Sequence, residues 1–361
     1  MKSFSLAAAF LAATSIAAPT PSKRYEDFSP DGNYFPLSNG FPNPSPEEVL
    51  KIQDQAFGTL PNGPPPPSIS DDTKTSLKLI ALNEIFEVAF FTELYYNVTN
   101  KVHGYDLGYG HEYVLHALEA IIAQEELHAL NANGALKNFG EAPIKPCKYS
   151  FPVTDFQAAI GLAATFTDVV LGTLQDVQFD AAMNKDAGIV RGVGSVIGQE
   201  GEQEGFFRLI LKKNPSALPF LTTSVRDFAF TAIQSFTIPG SCPNIDTIPL
   251  QTFGALTVVT APIEPKSQLL EFSISKKELN STEYADFSVV YLNQQNVPVV
   301  KEIQNPRWKH DELCFEAHFP YEELEMNGLT IAAVVEGKGP FASPGDVAKA
   351  TKFGPGLIEI N

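Results

Sequence analysis

The sequence predicts an α+β chain with more than one domain. A bundle of four long helices plus a fifth is followed by a small β-sandwich-like region. Three observations lead there. Between residues 70 and 238 apolar residues recur at helical spacing in long runs. Near Leu250 the apolar period shortens to two, and short runs alternate with turn residues. On the apolar face of the second helix, formed by Leu118, Ile121, Ile122, Ala129 and Ala132, stand Glu125 and His128. A carboxylate buried among such neighbours is expensive unless it is paired.

The chain opens with a basic residue, Lys2, an apolar run, and Ser15-Ile16-Ala17, the pattern of a secretory leader over residues 1–17. Lys23-Arg24 offers a second, dibasic cut. Residues 18–69 are rich in Pro and Gly and read as an extended N-terminal arm. One short helical stretch begins at Pro46, and the aromatics Tyr34, Phe35 and Phe41 are suited to packing on the domain beyond. Ser70 caps a first long helix over about 72–98. The second is expected over about 111–132, closed by Asn133-Gly134. A third covers about 154–183, a fourth about 187–212 and a shorter fifth 223–236, so the bundle occupies 70–238. Over 255–361, six apolar runs beginning at Leu270, Phe287, Val297, Leu313, Leu329 and Leu357 are expected to be strands of a sandwich, with Trp308 in its core.

A net charge of −17 disfavours nucleic acid and anionic membranes as partners. No apolar run after the leader is expected to span a membrane, and the leader predicts a secreted protein with a cell-wall or other extracellular partner. Asn97 and Asn280 lie in glycosylation sequons. Three cysteines are too few to build the fold by disulfides. Cys147 and Cys242, in Pro-containing loops flanking one helical region, are the expected bridge, and Cys314 is expected to be buried.

A two-metal bundle takes one Glu from each of two helices and Glu-x-x-His from each of the other two. Here the first helix supplies Glu84 or Glu87, and the second supplies Glu125 and His128. The fourth supplies Glu200, with Gln203 in the histidine place, and the third has Thr167 where a carboxylate belongs. Neutral Thr and Gln are poor substitutes for those ligands. Beside an intact two-metal site, which the two replacements disfavour, two readings stay open. The residues form an empty buried network of protonated glutamates and amides, or they hold one iron, manganese or zinc ion in the surviving half-site. The sequence favours the first and assigns no catalytic residue.

The motifs Leu82-Asn83-x-x-Phe86-Glu87 with Phe90-Phe91, Gln124-Glu125-Glu126-Leu127-His128, Pro146-Cys147-x-Tyr149-x-Phe151-Pro152, and Glu200-x-x-Gln203 with Arg208 resemble the ferritin-like family that includes desiccation-related proteins. They are most similar to secreted fungal proteins of late sexual development and stress response. The resemblance covers about 33–260. It implies a ferritin-like bundle but little settled biochemistry; with the di-metal site degenerate, the first expectation is a non-catalytic cell-surface or extracellular role in sexual development or stress response. The alternative is an oxygen- or peroxide-handling metalloprotein using the remnant site.

Overall fold

The change of apolar period divides the chain in space as it does in sequence. The computed structural model describes residues 31–279 and 283–360; the leader, Lys23-Arg24 and Asn280 lie outside them. Helix α1 spans Pro46–Gln55. The bundle is built from α2 (Asp71–Thr99), α3 (His111–Asn138), α4 (Phe156–Met183), α5 (Ala187–Ile210) and the short α6 (Arg226–Gln234). Local chemistry sets the boundaries. Ser70 accepts the amide of Thr73 to start α2, and Asp155 accepts that of Ala158 to start α4.

Helix α3 does not stop at Asn133-Gly134 but continues to Asn138. The side chain of Asn133 is spent elsewhere: its Nδ2 donates to the carbonyl of Ile144 and its Oδ1 accepts the amide of Ile144. An asparagine tied to a distant loop leaves the helix backbone free to propagate.

The N-terminal arm packs as part of the core. Phe35, Leu37 and Phe41 are buried with the bundle, and Asn39 donates to the buried carboxylate of Glu126 at 2.7 Å. The disulfide Cys147–Cys242 joins the loop before α4 to the segment after α6, and Cys314 is buried with a free thiol. Asn97 is half-buried near the end of α2.

Among the described residues eight strands form two antiparallel sheets, β1 (Thr257–Val258), β2 (Gln268–Ser275), β6 (Glu312–Phe319) and β5 (Gln304–Lys309) in one, and β4 (Val299–Glu302), β3 (Phe287–Asn293), β7 (Gly328–Glu336) and β8 (Thr351–Ile360) in the other. Two short helices, α7 (Tyr321–Leu324) and α8 (Pro344–Ala350), complete the β-region. Alternate residues of β3 and β7 face opposite ways. Val290, Leu292, Ile331 and Ala333 join the core of the bundle, whereas Val289, Tyr291, Ala332 and Val334 join the core between the sheets. Buried on both faces, these strands read as unbroken apolar runs instead of alternating ones. The architecture is therefore three layers, bundle, sheet and sheet, with the middle sheet shared.

Two expectations change. Trp308 is not core: β5 is an edge strand with every residue exposed, and Trp308, 41% exposed, lies under the ammonium of Lys276. Phe315 and Phe319, on the central strand β6, do fill the core. Helix α4 is long and apolar enough to cross a membrane by length and composition, contrary to expectation, with 72% of its most apolar window buried inside the protein.

Candidate metal centre

Four helices each turn a polar stripe inward at one height. From α2 come Asn83, Glu84 and Glu87, from α3 Gln124, Glu125 and His128, from α4 Thr167, and from α5 Glu200 and Gln203. An aromatic wall adjoins them: Phe91 stacks on Phe207 at 5.7 Å, and Phe90 and Phe86 meet Phe166 edge-on at 5.0 and 5.2 Å. Glu84, Glu87, Glu125 and Glu200 are buried away from water, which makes their pairing decisive.

His128 Nδ1 lies 2.8 Å from Glu125 Oε2, 3.4 Å from Glu84 Oε2 and 4.0 Å from Glu200 Oε1. Ligand atoms of Glu84, Glu125, His128 and Glu200 all fall within 4.8 Å of one another. Of the two candidates on α2, Glu84 is thus the one in the group. Glu87, one turn on, accepts a hydrogen bond from Asn83 Nδ2 at 3.0 Å. The Gln203 amide donates to Glu125 Oε1 at 2.6 Å and to Gln124 Oε1 at 3.1 Å. Thr167 is buried on α4 and offers only a hydroxyl.

Protonation follows from burial and neighbours. Burial pushes Glu84 up to about 7, against the pull of His128. Glu87 and Glu200 are raised well above the usual range by burial and then by the surrounding carboxylates. Burial would raise Glu125 too, but the charge and hydrogen bond of His128, with help from Glu84 and Gln203, hold it below the ordinary value. Burial would depress His128, yet Glu125 and Glu84 together lift its imidazole well above it. Below about pH 7 this pattern makes the metal-free state a Glu125–His128 ion pair among protonated glutamic acids.

One feature does not fit a closed hydrogen-bonded network. Both carboxylate oxygens of Glu200 are buried without a hydrogen-bond partner. Leaving such groups unsatisfied costs about 1–3 kcal/mol each. A cation among these atoms removes that penalty, and three carboxylate oxygens with one imidazole nitrogen suit iron, manganese or zinc. At the other half of a two-metal arrangement the chain instead directs an amide N–H of Gln203 at Glu125, a donor that repels a cation. The residues fit one ion and not two.

Asn83, Gln124 and Asn39 take part in or brace this site without having been singled out as ligands. For Asn83 and Gln124 the signal in the sequence is modest, amides directly beside glutamates in otherwise apolar helices, and Asn39, in a turn of the arm, carries none.

Residues 75–213 match the family model of the ferritin-like domain. No curated protein matches the chain. The matched segment runs from the first turn of α2 to just past α5, which contains every residue of the four-ligand group. The helical part of this chain is a ferritin-like domain, followed by antiparallel β-sheets in a mixed α+β molecule.

Proposed function

We propose that this is a secreted ferritin-like protein whose bundle holds a single divalent cation through Glu84, Glu125, His128 and Glu200, with a non-catalytic role at the cell surface. The observation that carries the metal reading is Glu200, whose two carboxylate oxygens are buried beside three further donors and have no other partner. The ion would supply the positive charge that this buried, carboxylate-rich site lacks. Around it the protein's own residues have defined tasks. Asn83 keeps Glu87 turned aside, Gln203 orients Glu125, and burial of the four helices' inner faces keeps water from Glu84, Glu125 and Glu200.

Secretion is supported by the N-terminal leader pattern and by the Cys147–Cys242 disulfide, a bond favoured in oxidising compartments. The non-catalytic reading rests on the replacement of two ligands by Thr167 and Gln203. A role in fungal sexual development or stress response is supported by the sequence resemblance alone. The test is the metal content of protein purified without chelator, for the wild type and for Glu200→Gln. One equivalent in the wild type and none in the variant is expected. Equal content in both would reject the assignment of ligands, and turnover of oxygen or peroxide by the loaded protein would replace the non-catalytic reading by a catalytic one.

A further inference from the structure

A sizeable cavity lies away from the metal centre, where bundle and sheets meet. It is a cleft of about 720 Å³ bounded by α4, the start of α6, the β3–β4 turn and α8. Clefts of this size at a junction between structural units are common ligand sites. Five ionisable residues line it, Asp176, Asp180, Arg226, Asp227 and Lys349, and each is already paired inside the protein. Arg226 Nη2 meets Asp180 at 2.7 Å and Asp72 at 2.9 Å. Asp176 accepts the backbone amide of Arg226 at 3.2 Å, capping α6. Asp227 accepts the amide of Gln251 at 2.6 Å, and Lys349 reaches Asp346 at 3.2 Å. An anion meets a surplus of carboxylates here, and a small cation meets carboxylates already engaged by backbone amides or by Arg226.

What remains available is neutral. Among the described residues the side-chain amides of Gln251 and Asn296 have no protein partner, and both residues are exposed at the cleft. Gln295 spends its Nε2 on Gln175 and the carbonyl of Leu221, which leaves its own carbonyl oxygen free to accept. Beside these amides stand Phe179, 63% exposed, and Val297, 69% exposed, so apolar surface and amides face the same space. An amide offers two donors and an acceptor to a hydroxyl-rich ligand. A ring offers a flat apolar face to its C–H groups. A ligand that carries both kinds of surface and no charge is a carbohydrate.

We propose that this cleft binds a short neutral oligosaccharide, with Phe179 as the stacking platform and Gln251, Gln295 and Asn296 as the hydroxyl-reading groups. The site shares no residue with the metal centre and does not depend on it. The experiment is calorimetric titration of the full chain with laminarihexaose, chitohexaose and maltohexaose in turn, with a lysine-rich peptide and polyphosphate as charged competitors. Saturable binding of at least one sugar is expected, unchanged by chelator and by added salt, because no ion pair with the ligand is screened. Phe179→Ala and Asn296→Ala, both exposed positions, should each weaken it roughly tenfold while the melting temperature stays the same. Silence with all three sugars, binding that survives both substitutions, or displacement of the sugar by a charged competitor would each overturn the proposal.

Discussion

At the scale of single residues, the centre of the bundle is a problem in protons. Glu200 is held neutral and His128 charged, and Glu84 is protonated below about pH 7, so a cation that enters must displace those protons. Metal affinity should therefore rise with pH through the region near 7 where Glu84 titrates, and proton release measured calorimetrically in buffers of different ionisation enthalpy should accompany binding. pH-independent binding with no proton release would contradict this protonation pattern. On the single-cation proposal, Gln203 is the residue whose identity sets the count of ions. Gln203→His exchanges the amide for the imidazole of a complete Glu-x-x-His pair and should raise metal content above one equivalent or broaden the range of metals retained. An unchanged stoichiometry would show that Thr167 alone limits the second position. The Glu125–His128 pair was legible in the sequence as two polar residues on an apolar stripe, as was the loss at Gln203. The choice of Glu84 over Glu87 was not, because the two lie three apart on one face and only Asn83, by engaging Glu87, separates them.

At the scale of elements, close contact and covalent ties decide stability. Helix α4 crosses the segment leading to α6 so closely that a Cβ on Gly172 would meet the carbonyl oxygen of Thr222 at 2.3 Å and the amide nitrogen of Ser224 at 2.9 Å. Gly172→Ala should thus destabilise by about 1–3 kcal/mol even though alanine favours helices, read as a lower denaturation midpoint. A neutral or stabilising effect would mean that the contact yields. The Cys147–Cys242 bridge closes a loop 95 residues apart in sequence. Its removal by Cys147→Ser with Cys242→Ser should cost about 4 kcal/mol through the entropy regained by the unfolded chain. Long helices were readable because their apolar spacing persists over several turns. The exceptions have local causes: Asn133 resembled a helix stop only because its bond to Ile144 joins distant residues, and β5 escaped notice because an edge strand with no buried side chain carries no apolar alternation.

At the scale of the whole molecule, the seam between bundle and β-region contains a second group of acids. Asp168 of α4, Glu204 of α5 and Glu359 of β8 lie together with Arg208 and Lys213, and both oxygens of Glu204 are buried without a hydrogen-bond partner. Burial pushes Asp168 up to about 6 and Glu204 to about 9, while Glu359 is raised well above its usual value by burial and then by Asp168 and Glu204. The folded state thus binds more protons than the unfolded one. The stabilisation is complete below the ordinary carboxylate range and is lost as pH rises through about 6 and then about 9. The melting temperature should fall between these two values by on the order of 5 °C, and Glu204→Gln, which needs no proton to stay neutral, should flatten the decline. A variant with the wild-type pH profile would remove Glu204 from that account. None of this seam was visible in the sequence, since Glu359 meets Asp168 only once β8 has been laid against the helices. The shared middle sheet was half visible: the uninterrupted apolar runs of β3 and β7 marked them as strands, but only packing on both faces explains why they do not alternate.

The central claim is that the bundle binds one cation through Glu200 and its three neighbours, and thermal denaturation with and without added metal tests it most directly. Chelator-stripped wild type should gain on the order of 3 kcal/mol when manganese, iron or zinc is supplied at about a hundred times its dissociation constant. Metal analysis of the same sample should return one equivalent per chain. Glu200→Gln should show neither the shift nor the ion while keeping its helical circular dichroism. Wild type that binds no metal and melts at the same temperature with and without it would contradict the claim, leaving the four residues as a structural polar cluster in a ferritin-like fold.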